Sequence, residues 1–164
     1  MRPRVRGPAL VALGAALMGC ASRPPQGAPD SAEALRGTAL EATIDGNARL
    51  RLEVEAWRSW QPVRPTPTGE GDPLIAVLRL VSSAPIPAGL TVETVHLLHG
   101  TDAWSGPGVE ESPREAGGAS LEVVVRNGPT WAAGDSIDVV VRVKLPSGQL
   151  TMVRAPRTAI ERVD

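Results

Sequence analysis

The sequence predicts an all-β fold for residues 38–164, and three features of the chain support this prediction. Apolar and polar residues alternate with a period of two through most of the region, as in strands with one buried face. Gly and Pro recur between the alternating runs, where they favour turns. Phe and Tyr are absent and four Trp are the only aromatic residues, so the core has to be built mainly from aliphatic, often β-branched side chains. We therefore expect seven or eight strands in a sandwich or a small barrel.

The first two strands are predicted to form a hairpin. Leu40, Ala42 and Ile44 alternate with polar residues, and apolar and charged residues alternate again over 49–56. Asp45-Gly46 lies between the two runs, and this dipeptide between alternating segments is a strong hairpin signal.

The remaining strands follow from further apolar runs. Residues 74–81 are almost continuously apolar, which is typical of a central strand buried on both faces. The other predicted strands lie at residues 90–98, 121–125, 137–145, 149–155 and 158–163. This succession of short strands and turns resembles an immunoglobulin-like domain, and the resemblance implies a single β-sandwich. It is architectural, since the paired cysteines and the tyrosine corner of that family are missing.

The N-terminal residues have the pattern of a secretory signal peptide. Three arginines stand among the first six residues, an apolar run follows over 9–18, and the small residue Gly19 precedes Cys20. The apolar run is too short to cross a bilayer, which takes about twenty residues. The arginines favour an orientation in which the rest of the chain is exported.

The tetrapeptide Leu17-Met18-Gly19-Cys20 resembles the lipobox of bacterial lipoproteins. The resemblance implies that residues 1–19 are removed and that Cys20 carries the acyl chains that hold the protein on a membrane. Ala21 stands where an Asp would favour the inner membrane, so in a Gram-negative host the periplasmic face of the outer membrane is favoured. An ordinary cleaved signal peptide is the alternative, but Cys20 would then be a free thiol in an exported chain without a disulfide partner.

Residues 20–37 are predicted to be a disordered Pro/Ala-rich tether behind the lipidated cysteine. They are polar, they contain three prolines and they lack an apolar period. Within them, Ser31 is placed to cap a short helical turn over 31–36. The immunoglobulin-like domain then comprises residues 38–164.

Long loops indicate where a partner would bind. If successive strands alternate in direction, three connections lie at one end of the domain: residues 61–73, 99–118 and 146–148. Long connections in compact domains are usually functional or disordered, and the first two of these are long and rich in Gly and Pro.

Trp57, Trp60 and Trp104 lie in or beside this predicted end and are the candidate partner-binding residues. Trp57 falls on the charged face of its strand, and exposed Trp is enriched at contacts with partners. The alternative is that these rings close the end of the core in place of the missing Phe and Tyr. Trp131 is expected to plug the opposite end.

The sequence offers no convincing metal or catalytic site. His96 and His99 are three residues apart on a predicted strand, so they should point to opposite faces, which does not suit one ion. No G-x-S-x-G nucleophile elbow is present. We therefore expect no catalytic residue, metal or cofactor. The formal net charge of −1 also gives no basic footprint for nucleic acid.

These features predict a lipid-anchored, extracytoplasmic protein with a non-catalytic binding or structural role. Besides the membrane, its expected partner is another envelope protein, a peptide or a glycan. Two alternatives stay open: a subunit of a larger envelope complex joined through exposed strand edges, and a small envelope hydrolase.

Overall fold

A computed structural model describes residues 31–60 and 72–164, and this part of the chain is almost entirely β-structure. The all-β prediction is confirmed. One short helix and eight strands are formed by the described residues: α1 (Ala32–Arg36), β1 (Glu41–Ile44), β2 (Ala48–Ser59), β3 (Ile75–Ser82), β4 (Thr91–His99), β5 (Asp102–Gly106), β6 (Ser120–Val125), β7 (Ser136–Lys144) and β8 (Leu150–Val163).

The strands form one curled mixed sheet with the order β5-β4-β7-β8-β2-β3-β6, and β1 pairs with β2 beside this path. Neighbours are antiparallel except β2 and β8, which run parallel over Ala56–Ser59 and Ile160–Val163. The first part of β8 pairs with β7 and its last part with β2, so β8 joins the two halves of the curled sheet. The finer prediction of an immunoglobulin-like sandwich stays a prediction.

A single cluster of buried side chains is shared by the two halves of the sheet. The inward row of β7 supplies Ile137, Val139, Val141 and Val143, which are at most 1% exposed, as their alternation predicted. Val95 and Leu97 of the neighbouring strand β4 lie beside this row, and β2, β3 and β6 contribute from the other half of the sheet. The core is aliphatic, in agreement with the composition.

The first hairpin is confirmed. β1 and β2 are antiparallel, with Ile44 opposite Ala48, and Asp45 and Gly46 turn the chain with φ angles of 32° and 76°. Glycine adopts a positive φ without the steric conflict of a Cβ atom, which explains the Asp-Gly signal.

Strand β3 is central, between β2 and β6, but its predicted burial on both faces is wrong. Leu78 and Leu80 are fully buried, whereas Arg79 is exposed and Val77 and Val81 are only half-buried. The apolar run at 74–81 therefore reflects one core face and one partly covered outer face.

The predicted loop 99–118 contains strand β5, so its prediction as one long loop is wrong. The chain reverses at Gly100, where φ is 52°, and β5 pairs antiparallel with β4. Because β5 is an additional strand, each later connection lies at the end of the sheet opposite to the one predicted for it. The turn at 145–149 thus lies at the end of the sheet opposite the C-terminal ends of β2 and β8, rather than beside the 61–73 connection. Of that connection, residues 61–71 lie outside the described residues.

The two predicted strands at 149–155 and 158–163 form the single strand β8. Its pairing with β7 shifts register between Ile137 and Val139, where Pro156 and Arg157 form a bulge. Arg157 has a φ of 54°, and its backbone N–H donates to Asp138 Oδ1 at 3.0 Å. The bulge lets one strand serve both halves of the sheet, because bulges bend the strand that carries them.

The predicted disordered tether is wrong for residues 31–37, which form and cap α1. Ser31 Oγ accepts from the Ala34 N–H at 3.2 Å, as the cap prediction required. Leu35 is 1% exposed because it packs against Leu98 and Val140 on the outer face of β4 and β7. The part of the tether at 20–30, like the signal segment and Cys20, lies outside the described residues.

Candidate functional site

The candidate site is an open cleft at the end of the sheet where β2 and β8 finish. The core-facing row of β2 runs Leu52, Val54, Ala56 and Arg58, and Trp60 continues it beyond the strand. Arg58 is the register partner of Arg162 on β8, so the apolar core is followed at this end by two guanidinium groups. The cleft has a volume of about 730 Å³. Its described lining consists of Arg58, Trp60, Thr130, Ala132, Ala133, Gly134, Ile160 and Arg162.

Arg58 holds the walls of the cleft together. Its side chain is buried, with only 3% of the residue exposed. Nε donates to the carbonyl oxygen of Asp72 at 2.9 Å, and Nη1 donates to those of Thr130 and Trp131 at 3.0 and 2.9 Å. Hydrogen bonds from a charged donor are stronger than neutral ones, so one side chain ties the start of the segment before β3 to the β6–β7 connection.

Trp60 directly follows β2, is half-buried, and has two guanidinium groups near its ring. Arg58 Cζ is 4.8 Å and Arg162 Cζ is 4.9 Å from the ring centroid, within the range of a cation–π contact. The backbone N–H of Trp60 donates to the carbonyl oxygen of Val163 at 2.9 Å, which fixes the residue to the end of β8. The indole therefore orients cationic groups at the cleft.

The second wall of the cleft is the β6–β7 connection, residues 126–135. Gly134 N–H donates to the Ile160 carbonyl at 2.8 Å, and Ile160 N–H donates to the Asp135 carbonyl at 2.9 Å. The φ of 91° at Gly134 permits this close return of the backbone. Asp135 Oδ2 also lies 3.2 Å from His99 Nε2, so this wall is attached to β4 as well as to β8.

The structure does not bring the three predicted tryptophans together. Trp57 lies on the outer face of β2, as its parity predicted, and is half-buried beside Ile75. Trp60 lines the cleft, and Trp104 is opposite Leu97 and packs against the core. Trp131 is at the same end as Trp60, because Arg58 reaches its carbonyl, so its assignment to the opposite end is wrong. The unpredicted strand β5 explains this error.

Trp104 has a structural environment on β5. A Cβ atom at Gly106 would overlap the six-membered ring of Trp104, so the ring occupies the space above that glycine. For Trp104, this arrangement agrees with the alternative interpretation, in which the tryptophan rings complete the core.

The two histidines point to opposite sides of β4. His96 is buried on the outer face, where its Nδ1 lies 2.7 Å from Ser105 Oγ. His99 contacts the ring of Trp131 at a centroid distance of 5.2 Å. Among residues 31–60 and 72–164, no group of three or more His, Cys, Asp or Glu side chains is arranged to hold a metal ion.

The segment between β5 and β6 is fixed by ion pairs away from the cleft. The Arg114 guanidinium donates to both carboxylate oxygens of Glu110, at 3.0 and 2.6 Å, and to the Leu90 carbonyl at 3.0 Å. Hydrogen bonding from Arg114 holds the pKa of the Glu110 carboxyl below its usual value. Arg126 in the same way lowers the pKa of Glu111. These contacts give the segment 107–118 a structural role.

Arg58 and Arg162 were not predicted as site residues from the sequence, although a signal for Arg58 was present. Arg58 continues the row of Leu50, Leu52, Val54 and Ala56, so the parity of β2 already placed a cation on the core face. Its pairing with Arg162 depends on the parallel register of β2 and β8, which the local pattern does not contain.

Comparison with protein-family models, curated proteins and solved structures finds no match to this chain. Nor does any helix among residues 31–60 and 72–164 have the length and apolar character that a membrane span requires.

Proposed function

We propose that the protein is anchored to the cell envelope by lipid on Cys20 and acts there as a non-catalytic binding module. The anchor is supported by the sequence alone: the arginines, the short apolar run and the Gly19-Cys20 junction resemble a lipoprotein signal. Two or three acyl chains on one residue give stable attachment, whereas one chain gives only marginal binding.

We also propose that the strands form an immunoglobulin-like sandwich, and the strand order supports this. In such domains strands A, B and E share one sheet and C, F and G share the other. Here β2, β3 and β6 are neighbours in that order, and β4, β7 and β8 are neighbours on the other side.

The observation that carries the binding role is the cleft. Its volume is in the range of small-ligand sites, and it combines an aromatic ring with two oriented guanidinium groups. Trp and Arg are the residue types most enriched where binding energy is concentrated. The partner is another envelope protein, a peptide or a glycan.

The docking of α1 determines how far this module extends from the anchor. Because Leu35 is seated on the outer face of β4 and β7, α1 belongs to the module, and the tether predicted from the sequence is shortened to residues 20–30. A flexible coil of this length spans about 17–20 Å, and full extension gives about 40 Å. The module would therefore meet partners close to the membrane.

The test is crosslinking in the native envelope followed by pull-down of the full chain. Trp60→Ala should remove the captured partner, while Trp57→Ala serves as the matched control because Trp57 is a half-buried tryptophan outside the cleft. If both variants still captured the partner, binding at the cleft would be contradicted. Capture that survives both substitutions and depends on β5 would instead favour a subunit joined through an exposed strand edge.

A hydrolase is the second candidate function, on the observation that Ser105 Oγ lies 2.7 Å from His96 Nδ1. In that case His96 would accept the Ser105 proton as the hydroxyl attacks an ester carbonyl and would return it to the departing alcohol, after which water would release the acyl group. A fluorophosphonate probe should then label the wild-type chain but not Ser105→Ala. Our proposal predicts no labelling of either protein, because direct cross-strand pairing already accounts for the contact.

A further inference from the structure

We propose that the cleft binds a carboxylate group presented by a peptide, an inference that rests on the proposed function in taking the cleft as the binding site. The charge of the cleft lining favours an anionic ligand. Arg58 and Arg162 both line the cleft, and no acidic side chain is among its described lining residues. The planar fork of a guanidinium matches the two oxygens of a carboxylate, so this lining favours such an anion.

Arg162 is the group that meets the ligand. Arg58 is buried and uses Nε and Nη1 on carbonyl oxygens of the cleft walls, whereas 58% of the Arg162 side chain is exposed. The ring of Trp60, 4.9 Å away, limits the positions that the Arg162 guanidinium can adopt. An oriented donor loses less conformational freedom when it binds than a mobile one does.

The chain itself supplies a carboxylate to this donor. Asp164 Oδ1 lies 2.7 Å from Arg162 Nε, so the guanidinium already pairs with the kind of group that we assign to the ligand. Both partners are exposed, 58% and 73%, and exposed ion pairs are weak. A ligand carboxylate can therefore displace Asp164, which becomes a competitor for the site.

A peptide fits the rest of the cleft. The β6–β7 connection lines the cleft with Ala132, Ala133 and Gly134, which have no bulky side chain to fill the space that an extended backbone needs. The exposed Thr130 and the buried, apolar Ile160 also line the cleft. The occupant that combines an extended backbone with a carboxylate is a peptide with a free C terminus.

The experiment follows the indole N–H resonance of Trp60 in the purified full chain, assigned with Trp60→Phe. The probes are trialanine, its C-terminal amide and glucuronate. Trialanine should shift the resonance saturably, and the amide should bind at least about tenfold more weakly because it lacks the charge. Glucuronate should not compete.

Two arginine variants separate the site from general charge. Arg162→Gln should weaken trialanine binding at least about tenfold. Arg126→Gln should leave it unchanged, since Arg126 is equally exposed, at 56%, and is also paired with an acid, but lies outside the cleft. Asp164→Asn should tighten binding up to about fivefold by removing the internal competitor.

Equal shifts with trialanine and its amide, no shift with either, or equal loss in the two arginine variants would overturn the proposal. Glucuronate binding in preference to trialanine would overturn the peptide and favour a glycan. The binding role of the cleft is tested separately, by capture of a partner in the native envelope with Trp60→Ala and Trp57→Ala. Failure of the inference and failure of the proposed function are thus distinguishable.

Discussion

Replacing Arg58 tests whether one buried guanidinium supports the cleft end of the sheet. Arg58→Met keeps a long apolar stem but removes three hydrogen bonds, to the carbonyl oxygens of Asp72, Thr130 and Trp131. A buried polar group left without its partner costs about 1–3 kcal/mol. Asp72 and Thr130 are both exposed, so their carbonyls can regain hydrogen bonds from water at a net cost of about 0.5 kcal/mol each. The carbonyl of the half-buried Trp131 keeps the larger penalty, so we expect a loss of about 2–4 kcal/mol in the free energy of unfolding.

The assay is equilibrium unfolding in urea, compared at constant m-value. Arg58→Lys should lose about 1–3 kcal/mol, because one ammonium cannot reproduce the geometry of the guanidinium. The matched control is Arg79→Met, which removes an exposed arginine from the same sheet and its 3.1 Å pair with Glu122. That change should cost about 0–1 kcal/mol. If the losses of unfolding free energy in Arg58→Met and Arg79→Met were within about 1 kcal/mol of each other, the buried guanidinium of Arg58 would not support this end of the sheet as we infer.

Three further substitutions test other parts of the structure. Leu35→Ala should lower the free energy of unfolding by about 2–4 kcal/mol, since it empties a buried site under α1. Gly106→Ala should cost about 1–3 kcal/mol, because the new Cβ displaces the Trp104 ring, and a changed near-ultraviolet circular dichroism spectrum would report it. Glu110→Gln should destabilise more at pH 7 than at pH 3. The lowered pKa of Glu110 beside Arg114 means that its contribution is present above the unfolded-state pKa and lost as pH falls through the folded-state pKa.

Matched controls exist for the first two of these substitutions. Leu40→Ala truncates a leucine that is 52% exposed, and Gly89→Ala adds a Cβ whose nearest neighbours are ordinary contacts with Pro146. Both should change stability by less than about 0.5 kcal/mol. Losses equal to those of Leu35→Ala and Gly106→Ala would contradict the assigned contacts. For Glu110, an equal loss at pH 3 and pH 7 would show that its charge is not the cause.

The strands that could be predicted are those whose local sequence shows which side chains are buried or where the chain turns. The Asp45-Gly46 turn requires positive φ angles, and the valine row of β7 alternates with polar residues. Strand β5 lacks both kinds of signal. It has five residues, with Trp104 as its one large apolar side chain, and its strand conformation depends on pairing with β4.

The candidate site was harder to predict because it depends on long-range register. The position of Arg58 on the core face follows from parity, but its contact with Trp131 requires the correct number of preceding strands. Missing β5 placed Trp131 at the wrong end and grouped Trp104 with Trp60. The Ser31 cap of α1 was local and could be predicted, whereas burial of Leu35 requires the outer face of a distant sheet.

The most direct test of the proposed lipid-anchored protein is intact mass spectrometry of the chain purified from membranes. We predict a mature protein that begins at Cys20 and carries a diacylglyceryl group and an amide-linked acyl chain. Cys20→Ala should abolish this mass and release the protein from the membrane fraction. A mature chain cut elsewhere, or one that begins at Cys20 with an unmodified thiol, would contradict the proposal.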